Sequence, residues 1–198
     1  MSICTKDKSV ALARLNNEMM ASCQCKLRYV AKNVVPGVGN ADADILFIGE
    51  APGKKEDEMG IPFVGASGKL LDELLMTIGL SRGDIYITNV VKYRPPNNRD
   101  PLPEEVALCW PWLYAQVKTI HPKLIVLLGR HALERFSHGR HISVEHGKVI
   151  SCTIPNFDAY TFFALYHPAA ALYNGSLRKI LFSDFQRIPI VLSLLKEK

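Results

Sequence analysis

The sequence predicts an α/β protein, a three-layer α/β/α sandwich around a mostly parallel central sheet. Short, continuous apolar runs, typical of strands buried on both faces, alternate along the chain with segments of helical periodicity. Such alternation is the pattern of parallel strands joined by crossover helices, which then cover both faces of the sheet. The 198 residues contain no internal repeat, low-complexity tract or long linker. We therefore expect a single domain over residues 1–198.

Apolar spacing predicts the first elements of this fold. Residues 10–20 carry apolar side chains at helical spacing and predict a helix. The apolar run 45–48, ended by Gly49, predicts a strand buried on both faces. The stretch 49–68 contains five glycines and two prolines, so we expect irregular structure there.

The remaining elements follow from the same kinds of pattern. An apolar stripe over 70–78 predicts a helix, with Ser67 as its N-cap and Gly79 as its stop. The others are a strand over 84–91, a helix over 104–120 that Pro111 should kink or interrupt, a strand over 124–128, a helix over 130–136, strands over 144–152 and 160–166, and a closing helix over 177–188.

Composition excludes several classes of protein. With 48% apolar and 22% charged residues, the chain is neither disordered nor collagen-like. It shows no signal-peptide core and no apolar run of membrane-spanning length. Five cysteines, an odd number without export signals, indicate a reducing compartment, so we expect a cytoplasmic protein, a monomer without membrane association. The net charge of +5 permits a nucleic-acid partner but does not demand one.

Three polar loops, each following a predicted strand, carry the candidate chemistry. In the first, residues 49–65, glycines allow close backbone approach to a ligand, and Glu50 at the strand end is placed to act on a substrate. No Gly-Lys-Ser/Thr follows, so this is not a nucleotide-hydrolase phosphate loop. For Lys54, Lys55, Asp57 and Glu58 we favour a surface loop with solvated charges. Because ligands of parallel sheets bind at the carboxyl ends of the strands, we expect the three loops to converge on one cleft.

The second loop, residues 89–101, begins with an amide inside an apolar strand. A buried, unpaired amide is costly, so Asn89 either satisfies a backbone group or reads a ligand. The basic residues of this loop suit phosphate contacts, and a solvated loop is an equal alternative.

The third loop, residues 166–174, places His167 directly after a strand and before a proline, a rigid position for a hydrogen-bond donor. A structural histidine is the alternative. We expect a functional role far less for the remaining histidines, which are His121, His131, His138, His141 and His146.

Five motifs in order connect these loops to a known family. They are GEAPG at 49–53, ED at 56–57, G-x-PFVG at 60–65, TNVVK-x-RPP-x-NRDP at 88–101 and HPAA at 167–170. Over about residues 22–188 the chain resembles the family 4 uracil-DNA glycosylases, which usually carry an iron–sulfur cluster. The resemblance implies a base excision repair hydrolase that flips uracil out of DNA, hydrolyses its N-glycosidic bond and leaves an abasic site.

The resemblance also implies roles for individual residues. Phe63 would stack on the flipped uracil, and Asn89 would pair with its O4 and N3–H edge and so reject cytosine. His167 would donate to uracil O2 and stabilise the anion that develops as the bond breaks. Glu50 is the first choice for holding the water or the sugar cation, and Glu56 is the second.

Further residues would support the base or contact the DNA. Gly49 and Ala51 would border the base pocket, and Asn98 would support the site through a contact to the first loop. Leu172 would be the wedge that fills the space left by the flipped nucleotide, with Tyr173 beside it. The expected phosphate contacts are Lys54, Lys92, Arg94, Arg99 and Arg178.

The chain departs from the family at the cluster ligands. The family's four cysteines align with Ser22, Cys25, Tyr93 and Cys109, so only two thiols remain, and a cluster is normally held by four. Cys23 lies one residue out of register, and Cys23 or Cys4 could be recruited only by rearrangement. The spacing suits zinc no better. We therefore predict no metal and no iron–sulfur cofactor.

Three alternatives to uracil excision stay open at this point. The first is a glycosylase for another deaminated base, such as hypoxanthine or xanthine. The second is a non-catalytic relative that binds lesions, although the presence of Glu50, Asn89 and His167 argues against it. The third is a small-molecule nucleotide-binding protein, which should show little of the salt dependence of DNA binding.

Overall fold

A six-stranded β-sheet runs through the computed structural model, which describes residues 5–157 and 160–196. Its order is β1-β3-β2-β4-β6-β5. The central four strands are parallel, while β1 and β5 pair antiparallel at the two edges. This arrangement confirms the predicted mostly parallel sheet. The strands are β1 (Val38–Gly39), β2 (Ile45–Gly49), β3 (Tyr86–Asn89), β4 (Leu124–Leu128), β5 (Lys148–Ile150) and β6 (Thr161–Leu165).

Helices cover both faces of this sheet, as predicted. The helices of the described chain are α1 (Thr5–Ser22), α2 (Lys54–Met59), α3 (Ala66–Thr77), α4 (Pro103–Ile120), α5 (Gly129–Phe136), α6 (Ile142–Glu145), α7 (Pro168–Ala171), α8 (Gly175–Phe185) and α9 (Ile188–Lys196), with 3₁₀ turns at Lys26–Tyr29, Arg82–Asp84 and Pro96–Asn98. None of the helices within the described residues is long and apolar enough to cross a membrane.

The alternation of side chains along each strand divides the core into two halves. Leu46 and Ile125 point to the face covered by α1, α4 and α5, whereas Phe47 and Val126 point to the face covered by α3 and α8. Both faces are buried, which explains why the strands read as continuous apolar runs rather than as alternating patterns. The three-layer sandwich predicted from the sequence is therefore confirmed.

The expectation of irregular structure over 49–68 is wrong in part, because α2 lies inside it and α3 begins at its end. Helix α2 ends at Gly60, whose φ of 69° lies in the left-handed region. It is anchored by the buried Asp57, whose Oδ1 accepts the backbone N–H groups of residues 32 and 33. The N-cap of α3 is Gly65 rather than Ser67. Tertiary contacts thus ordered a segment whose composition alone indicated a loop.

Other elements also differ from the predictions, among them the strand expected over 84–91, which is only β3. Helix α4 continues through Pro111, because the buried side chains around it, such as Cys109 and Leu113, hold it against the sheet despite the lost hydrogen bond. The strand expected over 144–152 is only β5, preceded by the short helix α6. The closing helix is split into α8 and α9.

Candidate active site

The three polar loops meet in one cleft of about 620 Å³ at the carboxyl ends of the central parallel strands. Glu50 follows β2, Asn89 ends β3, and His167 follows β6. The first turn of α5, residues 129–131 directly after β4, closes the fourth side. The predicted convergence is confirmed, and its physical basis is that parallel strands place all their carboxyl ends on the same edge.

Asn89 presents an unsatisfied acceptor at the base of this cleft. The side chain is 1% exposed, and its Oδ1 is buried without a hydrogen-bond partner. Gly49 on the neighbouring strand makes room for it, since a Cβ there would lie 2.4 Å from that oxygen. Buried polar atoms are almost always paired, so an orphan facing a cleft indicates a ligand. Of the two interpretations of Asn89, the structure favours ligand reading over satisfaction of a backbone group.

The aromatic ring of Phe63 lines the cleft, and the backbone of this residue is held in a strained conformation. Its φ of 54° is left-handed, which is unusual for a bulky residue. Gly68 is required beneath it, because a Cβ there would lie 1.6 Å from the Phe63 carbonyl oxygen. The Arg82 guanidinium donates to that carbonyl and also pairs with Asp72 at 2.6 Å. The Phe63 backbone is therefore fixed by Arg82, a residue that the sequence analysis did not single out.

His167 is held as a neutral ring. Its Nδ1 accepts the Ala169 backbone N–H at 3.1 Å, so the ring proton must sit on Nε2. Burial lowers the pKa of His167 to about 4, with Glu56 opposing the shift and His131 adding to it. Its ring lies 5.5 Å from that of Phe63 at an interplanar angle of 29°. The imidazole can thus donate one hydrogen bond from Nε2 without carrying a charge.

Glu50 lies half-buried beside a second carboxylate and a histidine. Burial and then the charge of Asp100 raise the pKa of Glu50 to about 7, while Arg130 and Arg135 oppose the shift. His131 Nε2 lies 3.6 Å from Glu50 Oε1 and 3.3 Å from Asp100 Oδ1. The ligand atoms of these three residues lie within 4.8 Å of one another, so they are close enough to share a proton or a cation.

His131 is a site residue for which the sequence analysis expected no role. It lies in the first turn of α5, directly after β4, and the meeting of the four parallel strand ends at the cleft, rather than a local motif, is the signal that could have identified it. Burial lowers its pKa, with Asp100 opposing and the nearby guanidinium groups of Arg130 and Arg135 assisting. Its Nε2 also accepts a hydrogen bond from Arg130 Nε at 2.9 Å. The ring is therefore a neutral neighbour of Glu50.

Two other predicted site residues take part mainly in holding the loops. Glu56 lines the cleft, but its Oε1 accepts the backbone N–H groups of Val64 at 2.9 Å and Gly65 at 2.8 Å, which clamps the first loop. Asn98 lines the cleft as well, and its Oδ1 accepts from Arg94 Nε at 2.8 Å. Both residues are in the cleft as expected, and their roles remain predictions. Ala51 borders the cleft beside Glu50.

The prediction that Lys92 contacts phosphate is wrong. Its side chain is 0% exposed, and its Nζ donates to Thr88 Oγ1 at 2.6 Å, Gln116 Oε1 at 2.7 Å and the Asn89 carbonyl at 2.8 Å. Desolvation lowers its pKa to about 7. The Lys92 side chain therefore points into the protein and holds the strand end that carries Asn89.

The other expected phosphate contacts remain at the surface. Lys54 is exposed, and Arg94 is half-buried beside Asn98. Arg99 forms a two-pronged ion pair with Glu105 at 2.6 and 2.9 Å. Arg178 pairs with Glu73 and lies over the ring of Phe182.

The two candidate wedge residues differ in accessibility. Leu172 is half-buried and packs against the apolar cluster that contains α3 and α8. Tyr173 is 95% exposed. Of the two, Tyr173 therefore has the side chain that is free to enter a DNA stack.

The cysteines that the structure describes at the expected cluster position are all buried. Ser22 is exposed and donates to the Glu18 carbonyl, whereas the side chain of the neighbouring Cys23 points inward. Cys23, Cys25 and Cys109 are at most 1% exposed and belong to the apolar core on this face of the sheet. Cys4 lies outside the described residues.

This donor set does not fit a four-thiolate iron–sulfur cluster. The described residues supply three buried thiols here, Cys23, Cys25 and Cys109, and the fourth position is the phenol of Tyr93. Burial raises the pKa of Tyr93 well above its usual value, so the phenol keeps its proton and is a poor metal ligand. Cluster ligands are normally four deprotonated thiols.

Comparison with known proteins gives consistent matches. Residues 36–187 match the family model described as the uracil DNA glycosylase superfamily. The chain is 48% identical over 178 residues to a type-4 uracil-DNA glycosylase of Saccharolobus solfataricus, covering 86% of this chain and 82% of that protein. It is 49% identical over 176 residues to one of Archaeoglobus fulgidus (86% and 88% covered) and 44% identical over 179 residues to one of Thermotoga maritima (89% and 92%).

Proposed function

Because the chain belongs to the uracil DNA glycosylase superfamily, we propose that it excises uracil from DNA in base excision repair. The reaction is hydrolysis of the N-glycosidic bond, which releases uracil and leaves an abasic site. The observation that carries this proposal is the orphan Oδ1 of Asn89, buried at the base of a cleft that also contains Phe63 and His167. The relatives, each of which is named a type-4 uracil-DNA glycosylase, support it.

The base enters the cleft by flipping out of the helix, since an atom inside the stack is out of reach. Uracil then stacks on Phe63, whose ring is fixed by the backbone contacts described above. Tyr173, which is 95% exposed beyond the cleft, fills the space that the base leaves.

Asn89 selects the base by its pattern of donors and acceptors. Its Oδ1 accepts the N3–H of uracil, and its Nδ2 donates to O4. Cytosine has an acceptor at N3 and donors at N4, so both pairs would be mismatched and buried without partners. Rejection by unpaired buried groups is the strong form of selectivity. The buried Lys92 contributes indirectly, because it holds the carbonyl of Asn89 at 2.8 Å.

His167 and Glu50 act on the bond itself. Because Nδ1 of His167 is occupied by the Ala169 N–H, its Nε2–H is available to uracil O2, where negative charge develops as the bond breaks. Glu50, when deprotonated, holds the attacking water or the cationic sugar. The elevated pKa of Glu50 also allows it to receive the proton of that water near neutral pH.

Excision of a single base from a defined oligonucleotide tests the proposal. We would incubate the purified protein with strands that contain one uracil, hypoxanthine or xanthine, and then cleave abasic sites with alkali. Cleavage at uracil alone is the expected result, with the Asn89→Asp variant as a matched control that loses most of it. Faster release of hypoxanthine or xanthine would favour a different deaminated base, and binding without release would favour a non-catalytic relative.

We propose a monomeric, cytoplasmic enzyme that forms one domain over residues 1–198 and works without an iron–sulfur cluster. The presence of only three buried thiols there among the described residues, together with the protonated Tyr93 phenol, supports the absence of a cluster. The anaerobically purified protein should be colourless and nearly iron-free. Iron in stoichiometric amount, with a thiolate charge-transfer band, would contradict this.

A further inference from the structure

A turn outside the cleft carries an exposed aromatic ring that the mechanism does not use. We call residues 26–33, the 3₁₀ turn Lys26–Tyr29 and the four residues after it, the basic turn. Tyr29 is 78% exposed, and Val30 after it is exposed as well. Leu27, in contrast, is buried in the apolar core and anchors the turn. Tyr29 therefore presents its ring to the solvent from a fixed piece of backbone.

The charged side chains around this ring are mostly basic. Lys26 and Lys32 of the basic turn are exposed. The adjacent helix α2 adds the exposed Lys54 and Lys55, and the exposed Glu58 offsets part of this positive charge. None of the four lysines forms an ion pair with any residue that the structure describes. This surface therefore attracts the phosphates of a nucleic acid.

The guanidinium of Arg28 lies over the Tyr29 ring, 5.7 Å from its centre. It donates to the backbone carbonyls of Cys23 at 2.8 Å and Met20 at 3.2 Å, which ties it to the end of α1. Because these acceptors are neutral, its positive charge is not cancelled. One face of the ring thus carries a fixed cation, and the opposite face is free to stack on a nucleic-acid base.

Helix α2 connects the basic turn to the cleft. Gly53 and Glu56 line the cleft. The next residue, Asp57, accepts the backbone N–H groups of residues 32 and 33 at 2.9 and 3.2 Å. The basic turn and the cleft therefore lie on neighbouring faces of one helix, roughly 10–12 Å apart, which is the diameter of a helix with its side chains. Phosphates of one DNA strand are about 3.4 Å apart along a duplex, so at most about three nucleotides span this distance.

We propose that the basic turn binds the single-stranded DNA that flanks the flipped uracil, with one base stacked on Tyr29 and the lysines on phosphates. This inference rests on the proposed function, which supplies DNA as the substrate. Bases paired in a duplex are stacked on one another and cannot reach the ring, so the surface favours an unpaired strand. The contact is independent of sequence, because every base has a π-face.

Equilibrium binding of uracil-free DNA tests the basic turn without the reaction. Fluorescence anisotropy would measure the Kd of the full chain for a single strand of 15 nucleotides and for a duplex of 15 base pairs. Tyr29→Ala should weaken single-strand binding about 5- to 100-fold, the range for the loss of one stacked base, and should change duplex binding by less than about twofold. Tyr29→Phe keeps the ring and should bind the single strand as the wild type does.

The salt dependence of binding tests the phosphate contacts, with Lys118 as a matched control. Lys118 is also an exposed lysine, but it lies in the last turn of α4, at the edge of the sheet opposite the cleft. Lys32→Ala should make the slope of log affinity against log salt concentration shallower by about 0.7 for the single strand. Lys118→Ala should leave this slope unchanged.

Excision from strands of two lengths separates the basic turn from the cleft. A strand of three nucleotides with uracil in the middle is too short to reach Tyr29, whereas a strand of 15 nucleotides reaches it. Tyr29→Ala should therefore raise the KM for the long strand toward the KM for the short one. If the wild type excised uracil from neither strand, the proposed function would be wrong, and the binding measurements would still decide the role of the basic turn.

Three results would overturn the proposal. Unchanged single-strand binding by Tyr29→Ala would mean that no base contacts the ring. An equal loss of duplex binding would mean that the ring supports the surrounding charges and does not stack on an unpaired base. An equal rise in KM for the strand of three nucleotides would mean that the substitution acts on the cleft.

Discussion

Replacing Asn89 with leucine should make the protein more stable and inactive at the same time. Leucine has the same branched shape as asparagine but lacks the Oδ1 atom that is buried without a partner. An unsatisfied buried acceptor costs about 1–3 kcal/mol, and the free energy of unfolding should rise by a similar amount. For a chain of this size that corresponds to an increase in melting temperature of roughly 3–10 °C.

The same substitution removes both hydrogen bonds to the uracil edge. Sites that read a polar edge with buried groups typically lose about 10⁴-fold when one side cannot pair. Single-turnover excision from a uracil-containing strand measures this loss, and a thermal melt measures the stability.

A substitution at the neighbouring residue is a control for which the opposite change in melting temperature is expected. Thr88 precedes Asn89 on β3 and is also buried, but its hydroxyl is bonded to the Pro36 carbonyl and to Lys92. Thr88→Val should therefore lower the melting temperature, because it removes the buried hydrogen bonds that the Thr88 hydroxyl makes to the Pro36 carbonyl and to Lys92. A melting temperature of Asn89→Leu below the wild type would refute the reasoning, since it would mean that the Asn89 amide is structural. Excision within about tenfold of the wild type would refute its role in reading the base.

Three further predictions follow from the site. His167→Ala should slow single-turnover excision by roughly two to three orders of magnitude with little change in DNA affinity, because its Nε2–H acts mainly in the transition state. The control is His138→Ala, which changes an exposed histidine and should have no effect. The excision rate should rise about tenfold per pH unit up to about pH 7 and then level off, because Glu50 acts as a carboxylate and its raised pKa is about 7. Glu50→Gln should abolish this pH dependence. A flat pH profile of the wild type would contradict the role of Glu50. Lys92→Met should destabilise the fold, since Gln116 and other buried acceptors lose the hydrogen bond from Lys92, yet it should leave the salt dependence of DNA binding unchanged. If the slope of log affinity against log salt concentration became shallower by about one unit, Lys92 would contact phosphate after all.

Local patterns in the sequence were sufficient for the architecture and for the position of the cleft. Continuous apolar runs mark strands buried on both faces, and the loops after them must meet at one edge because the strands are parallel. The clustering of Glu50, Asn89 and His167 follows from this rule. Gly49 and Gly68 can also be read from the sequence, and each marks a place where another group approaches the backbone closely.

Only the tertiary structure decided which way individual side chains point and what surrounds them. The sequence places Lys92 in a basic loop and Ser22 in a cluster ligand position, but the path of the backbone buries the lysine and turns Cys23 inward. His131 shows no local signal and becomes a neighbour of Glu50 only when β2 and β4 pair. Burial and the charges of residues far along the chain likewise set the pKa of Glu50 and the pKa of His167. The physical reason is that periodicity reports which face of an element is apolar, whereas solvation and electrostatic interactions depend on atoms that are far apart in the chain.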